Sequence, residues 1–146
     1  MSTTRSLREP EVNTTYLLGR AHKVLNERIR AGVVAAGHPI RAAHSAVFVN
    51  IDREGSRLTH LAERAAMTPQ AMGELVDDLA GLGYVERVPD PADRRAKLIM
   101  LTDLGHETLQ AAFDTILDIE AELLSELGAG GLAKLQRVLR RLAPED

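Results

Sequence analysis

The residues of this chain whose types and spacing could do chemistry fall in one segment. Arg94 and Arg95 stand side by side, just before Lys97 and just after Pro89-Asp90-Pro91-Ala92-Asp93, a run of turn-forming residues. The flanks Tyr84–Val88 and Lys97–Leu101 read as two strands of a hairpin. Cations at such a tip can reach a phosphate backbone or a narrow, electronegative minor groove. Asp93 would repel an anion there if left unpaired, and its pairing with Arg95 would stiffen the tip. Upstream, Thr68 is placed to cap a helix and Pro69 to occupy its first position, where a missing N–H costs nothing. That helix start offers free backbone N–H groups to phosphate. It also offers Gln70, a side chain with both donor and acceptor, suited to adenine N6 and N7. Ala71, Gly73 and Glu74 share the outer side of the helix. Gly73 in mid-helix costs about 1 kcal/mol relative to Ala, which close backbone approach to another surface, DNA being the candidate, would explain.

The elements that must position these groups are legible around them. Thr59 is a plausible cap for a short helix with Leu61, Ala62 and Ala65 on its apolar side, and Met67-Thr68 is a turn. Met72, Leu75, Val76 and Leu79 then recur at i, i+3, i+4 and i+7 and form one buried stripe. Helix, turn, capped helix and arginine-tipped ribbon make a winged helix-turn-helix, with the second helix in a major groove and the ribbon over the adjacent minor groove. A winged-helix module that binds a protein partner with the same surface is the alternative. Arg94 and Arg95 favour DNA. The second helix, which holds Glu74, Asp77 and Asp78 and no cation, favours a protein. Those acids read as a solvated face or as partners of nearby arginines.

The stretch Leu58–Gly83 and the wing signature Asp93-Arg94-Arg95, followed by Leu101-Thr102-x-x-Gly105, resemble the MarR (multiple antibiotic resistance regulator) family of transcription factors. The resemblance implies one unit over residues 1–146. It would be mostly α, with a winged helix-turn-helix over 40–101 and a helical dimerisation region from 10–37 and 103–143. It implies a homodimeric repressor that reads a palindromic operator in double-stranded DNA and is released by a small-molecule effector. Combined with helical spacing, it also puts an effector cavity among Tyr16, Arg20, His44, Val47, Phe48 and His106, with Arg20 and His44 as polar anchors for an aromatic acid. Tyr16 and Phe48 as simple core filling is the plainer alternative.

The rest of the chain supplies helices. Pro10–Arg30 carries Val12, Tyr16, Leu17, Val24, Leu25 and Ile29 at helical spacing, and Arg41–Asp52 repeats the pattern with Ala43, Val47, Phe48 and Ile51. Thr102 can cap a long helix to about Leu127. Gly128–Gly131 breaks it, and Leu135, Val138, Leu139 and Leu142 mark a last helix. These terminal helices have little of their own to cover, so a two-fold apolar interface is expected.

Composition narrows the function further. The chain has 146 residues, a net charge of −3, 45% hydrophobic residues and no cysteine, which excludes thiolate and disulfide chemistry. The net charge is not that of a general nucleic-acid binder. Residues 42–101 carry 7 Lys and Arg against 9 Asp and Glu, so attraction to phosphate has to be local, from Arg87, Arg94, Arg95 and Lys97. No apolar run approaches the length of a membrane span, and the N-terminus lacks a basic-then-apolar leader pattern, so a cytoplasmic protein is expected. His22, His38, His44, His60 and His106 are scattered without paired spacing. No metal or cofactor is expected, and no nucleophile–base or paired-carboxylate arrangement suggests an enzyme.

Overall fold

Asn13 accepts the Tyr16 N–H through its side chain at 3.1 Å and starts α1 (Thr14–Ala35). The structure, a computed structural model, describes residues 13–144. The predicted start of this helix at Pro10 and Val12 lies outside the described residues. Gly37, with φ +97°, turns the chain out of α1 into a 3-10 turn at Ala42–His44 and α2 (Ser45–Asn50). Next come α3 (Leu58–Arg64) and α4 (Pro69–Gly81), then the antiparallel pair β1 (Val85–Pro89) and β2 (Lys97–Leu101), and finally α5 (Asp103–Leu142). The chain is mostly helical with a two-stranded wing, as its sequence predicts.

Four local boundaries differ from expectation. Arg57, not Thr59, is the cap residue of α3, and no side chain bonds the helix start. Ser56 is tied to Ile99 by two backbone hydrogen bonds, so the helix begins directly after that bridge. Tyr84 stands outside β1, because its N–H donates to Leu79 O and its carbonyl accepts the Thr102 N–H. Pro89, by contrast, closes β1 opposite Lys97, and the tip is therefore Asp90–Ala96. The predicted break at Gly128–Gly131 is confined to Gly128 (φ 70°, ψ 168°), and residues 129–142 resume the helix at once. Gln136 then reaches Glu120 at 3.1 Å, so the last segment folds back along the one before it.

The core lies within the winged helix. Val47, Leu61, Met72, Val76 and Leu79 are fully buried, and Tyr84, Val85 and Ile99 close it from the ribbon. The α4 stripe is thus the one the spacing predicts. Outside this core, α1 and α5 pack on each other. Gly32 permits the contact, since a Cβ there would lie 2.0 Å from Thr115 Oγ1, and Arg28 pairs with Glu122 at 2.7 Å farther along. The same two helices leave much apolar surface open, with Tyr16 61%, Leu117 65% and Leu142 63% exposed. No helix among the described residues is long and apolar enough to cross a membrane.

Candidate nucleic-acid interface

The start of α4 is built as its residue types require. Thr68 Oγ1 accepts the Ala71 N–H at 3.1 Å and Pro69 opens the helix. Gln70 and Glu74 are exposed, while Ala71 and Gly73 are half-buried. The missing side chain of Gly73 faces Leu58 of α3, whose Cδ2 would sit 3.7 Å from an added Cβ. The glycine therefore borders the α3–α4 junction, with room for a methyl group.

Two of the three acids on α4 are compensated by arginines from elsewhere in the fold. Arg87 on β1 pairs with Asp77 at 2.6 Å, and Arg41 pairs with Asp78. Buried His44 completes the second cluster. Its Nδ1 accepts the Arg41 N–H at 3.1 Å, which leaves Nε2 facing Asp78 Oδ2 at 3.6 Å. Arg87, expected among the free wing cations, is therefore committed to Asp77. The pairing offsets the acidity that counted against nucleic acid, and Glu74 alone of the three lacks an ion-pair partner among the described residues.

At the wing, Arg94, Arg95 and Lys97 are exposed and form no ion pair among the described residues. Asp93 stiffens the tip by a route other than the one expected. Its carboxylate accepts the backbone N–H of Arg95 at 3.0 Å and its carbonyl accepts the Ala96 N–H at 2.9 Å, so the Arg95 guanidinium stays free. Side chains such as Asp bond their own backbone two residues on for this reason. The base of the tip is held by a pair that sequence reasoning missed. Asp90, 6% exposed, receives Arg57 Nε at 2.8 Å and Nη2 at 2.6 Å. The Ala92 N–H at 2.8 Å and the Arg57 guanidinium together hold the Asp90 carboxyl below its ordinary range. The Asp-Pro dipeptide marks a turn in sequence, but nothing in it points to Arg57.

The Leu101-Thr102-x-x-Gly105 signature joins the wing to α5. Thr102 Oγ1 donates to Gly83 O at 2.6 Å and accepts the Gly105 N–H at 3.1 Å. A Cβ at Gly105 would lie 2.1 Å from Tyr84 O, so only glycine lets α5 start this close to the strand.

The residues expected around an effector differ in their surroundings within one subunit. Tyr16 and Arg20 lie exposed on α1, with the guanidinium 5.9 Å from the ring centroid. Val47 and Phe48 are core, Phe48 standing edge-on to Tyr84 at 6.2 Å. His106 is exposed, with Nδ1 2.9 Å from Thr102 O. His44 alone of the six lines an open cleft of about 420 Å³, shared with Arg41, Asp78 and Leu82.

Comparison with known proteins fits this geometry. Residues 38–96 match the MarR family. The chain is 32% identical over 75 residues to the multiple antibiotic resistance protein MarR of Escherichia coli K12, covering 51% of this chain and 52% of that one. It is 28% identical over 91 residues to the transcriptional regulator HosA of Escherichia coli O111:H-, covering 62% and 67%. The chain thus matches about half to two thirds of the length of these relatives. In fold it resembles the crystal structure of apo wild-type MarR from Escherichia coli, with a TM-score of 0.72, 22% identity, and coverage of 93% of this chain and 100% of that one. It also resembles CouR from Rhodococcus jostii RHA1 bound to p-coumaroyl-CoA, with a TM-score of 0.70, 23% identity, and coverage of 92% and 94%.

Proposed function

We propose that this chain is a transcriptional regulator of the MarR family that binds an operator in duplex DNA as a homodimer and represses from it. The observation that carries the reading is the wing. Its tip holds Arg94 and Arg95 free of acidic partners among the described residues, next to a recognition helix whose Asp77 and Asp78 are compensated from within the fold. The wing cations, with Lys97, supply phosphate or minor-groove contact. Thr68, Pro69, Gln70 and Ala71 form the helix start that enters the major groove, where Gln70 reads a base edge and Gly73 and Glu74 border the contact. Asp93 orients the tip.

The exposed apolar surface of α1 and α5 supports the two-fold assembly. Half-sites then lie about one helical turn of DNA apart. Release by a small-molecule effector is supported by CouR, a similar fold bound to an acyl-CoA. An effector site built on Tyr16, Arg20 and His106 would need surface from the second copy, since one subunit leaves them open. Acting on chromosomal DNA, the protein works in the cytoplasm, and its role is regulatory rather than enzymatic. The test is footprinting of the chain on the DNA upstream of its own gene at several salt concentrations. A two-fold symmetric footprint that weakens with salt is expected, and no protection of any upstream sequence would overturn the reading. The protein-docking alternative keeps one favourable observation, the exposed Glu74 in mid-helix.

A further inference from the structure

We propose that Arg57 is the positioning residue of the wing: by gripping buried Asp90 it sets where Arg94 and Arg95 meet DNA. The inference rests on the reading of the wing as a DNA-contacting element. Arg57 precedes α3 and Asp90 follows β1, so the pair bridges the helix-turn-helix to the base of the tip. Two guanidinium nitrogens, at 2.8 and 2.6 Å, converge on Oδ2, the geometry of a strong charge-assisted contact. Oδ1 is used at the same time by the Ala92 N–H at 2.8 Å. The backbone of Asp90 is engaged as well. Its N–H donates to Ala96 O at 3.0 Å and its carbonyl accepts the Asp93 N–H at 3.2 Å. Oδ1, the N–H and the carbonyl of Asp90 thus each tie one part of the tip, and Oδ2, through Arg57, ties Asp90 to the body of the domain. Asp93 in turn fixes Arg95 through its N–H at 3.0 Å.

The hairpin itself is a short two-stranded ribbon. Its link to the rest of the domain at this level is Arg57, together with the neighbouring Ser56–Ile99 bridge. Without the guanidinium, the buried carboxylate loses its charge partner and seeks water, which pulls the tip away from α3. Arg57 needs no DNA contact of its own for this role.

Two measurements on the full chain test it. Amide hydrogen exchange without DNA should show residues 92–96 exchanging about tenfold faster in Arg57→Ala, as expected for loss of a charge-assisted contact, with α4 unchanged. Arg57→Lys, which keeps the charge, should restore part of the protection. For DNA binding, Arg57→Ala should weaken affinity and flatten its salt dependence as Arg94→Ala does. Added to Arg94→Ala/Arg95→Ala, it should cost nothing further, because its effect acts through those side chains. Unchanged exchange at the tip overturns the proposal, and so does a fully additive loss, which would make Arg57 a direct phosphate contact. Failure of the unaltered protein to bind any duplex would instead sink the functional reading, and the exchange data alone would then decide the anchor.

Discussion

Replacing Arg94 by alanine removes one exposed guanidinium from a tip whose shape is set by Asp90 and Asp93, so the change should subtract charge and leave the fold intact. Each phosphate contact contributes about 0.9 to the slope of log affinity against log salt, so between 50 and 200 mM a wing arginine that neutralises one phosphate should account for roughly a 3.5-fold loss of affinity. In a dimer both wings change together, and the difference becomes about 12-fold. The assay is fluorescence anisotropy on the footprinted operator and on an unrelated duplex at four salt concentrations. Arg94→Ala should lower the slope equally on both, because phosphate contacts carry no sequence. Arg87→Ala is the internal control. Its guanidinium is engaged by Asp77 at 2.6 Å, so its loss should leave the slope nearly unchanged, while affinity falls because Asp77 is uncovered on α4. Equal slopes for the unaltered protein and Arg94→Ala, or a larger drop for Arg87→Ala, would refute the assignment of charges.

Four further outcomes are expected. Gln70→Ala should cost about 1–3 kcal/mol at one operator position and relax preference there, as scored by binding to single-base operator variants. Gly105→Ala forces a methyl against Tyr84 O, 2.1 Å away. It should destabilise the chain by about 1–3 kcal/mol in urea unfolding, in line with overpacking elsewhere. Light scattering at micromolar concentration should give a dimer, because helices exposing Leu117 and Leu142 have no other cover among the described residues of one subunit. The Asp90 carboxyl, lowered by the Ala92 N–H and Arg57, contributes stability that is fully present above the unfolded carboxylate range. That contribution is lost as pH falls through its folded value. Melting curves between about pH 6 and 3 should therefore fall less steeply in Asp90→Asn than in the unaltered protein, and parallel curves would contradict the linkage.

The sequence by itself determined those features that depend on neighbours along the chain. Thr68 and Pro69 start α4 because capping is a matter of four consecutive residues, Thr68 to Ala71. Met72, Leu75, Val76 and Leu79 are buried because period alone puts them on one side. The wing follows from turn-forming residues between two strands, with an error only in which residues, Tyr84 or Pro89, end them. The glycine of the Leu-Thr-x-x-Gly signature is visible as a letter, but its reason is Tyr84 O, which only the folded chain brings near. Tertiary structure likewise decided which charges are free. Arg87 and Arg94 are alike in sequence, yet one is committed to Asp77 and the other is open. Arg41 finds Asp78 across 37 residues and Arg57 finds Asp90 across 33. Tyr16 and Arg20, which helical spacing joins with His44 into one pocket, meet on an exposed stretch of α1, whereas His44 is buried beside Arg41 and Asp78. Periodicity tells a side chain which way to face along its own helix, whereas the partner of a charge is chosen by how helices and strands meet, and a formal charge carries no such address.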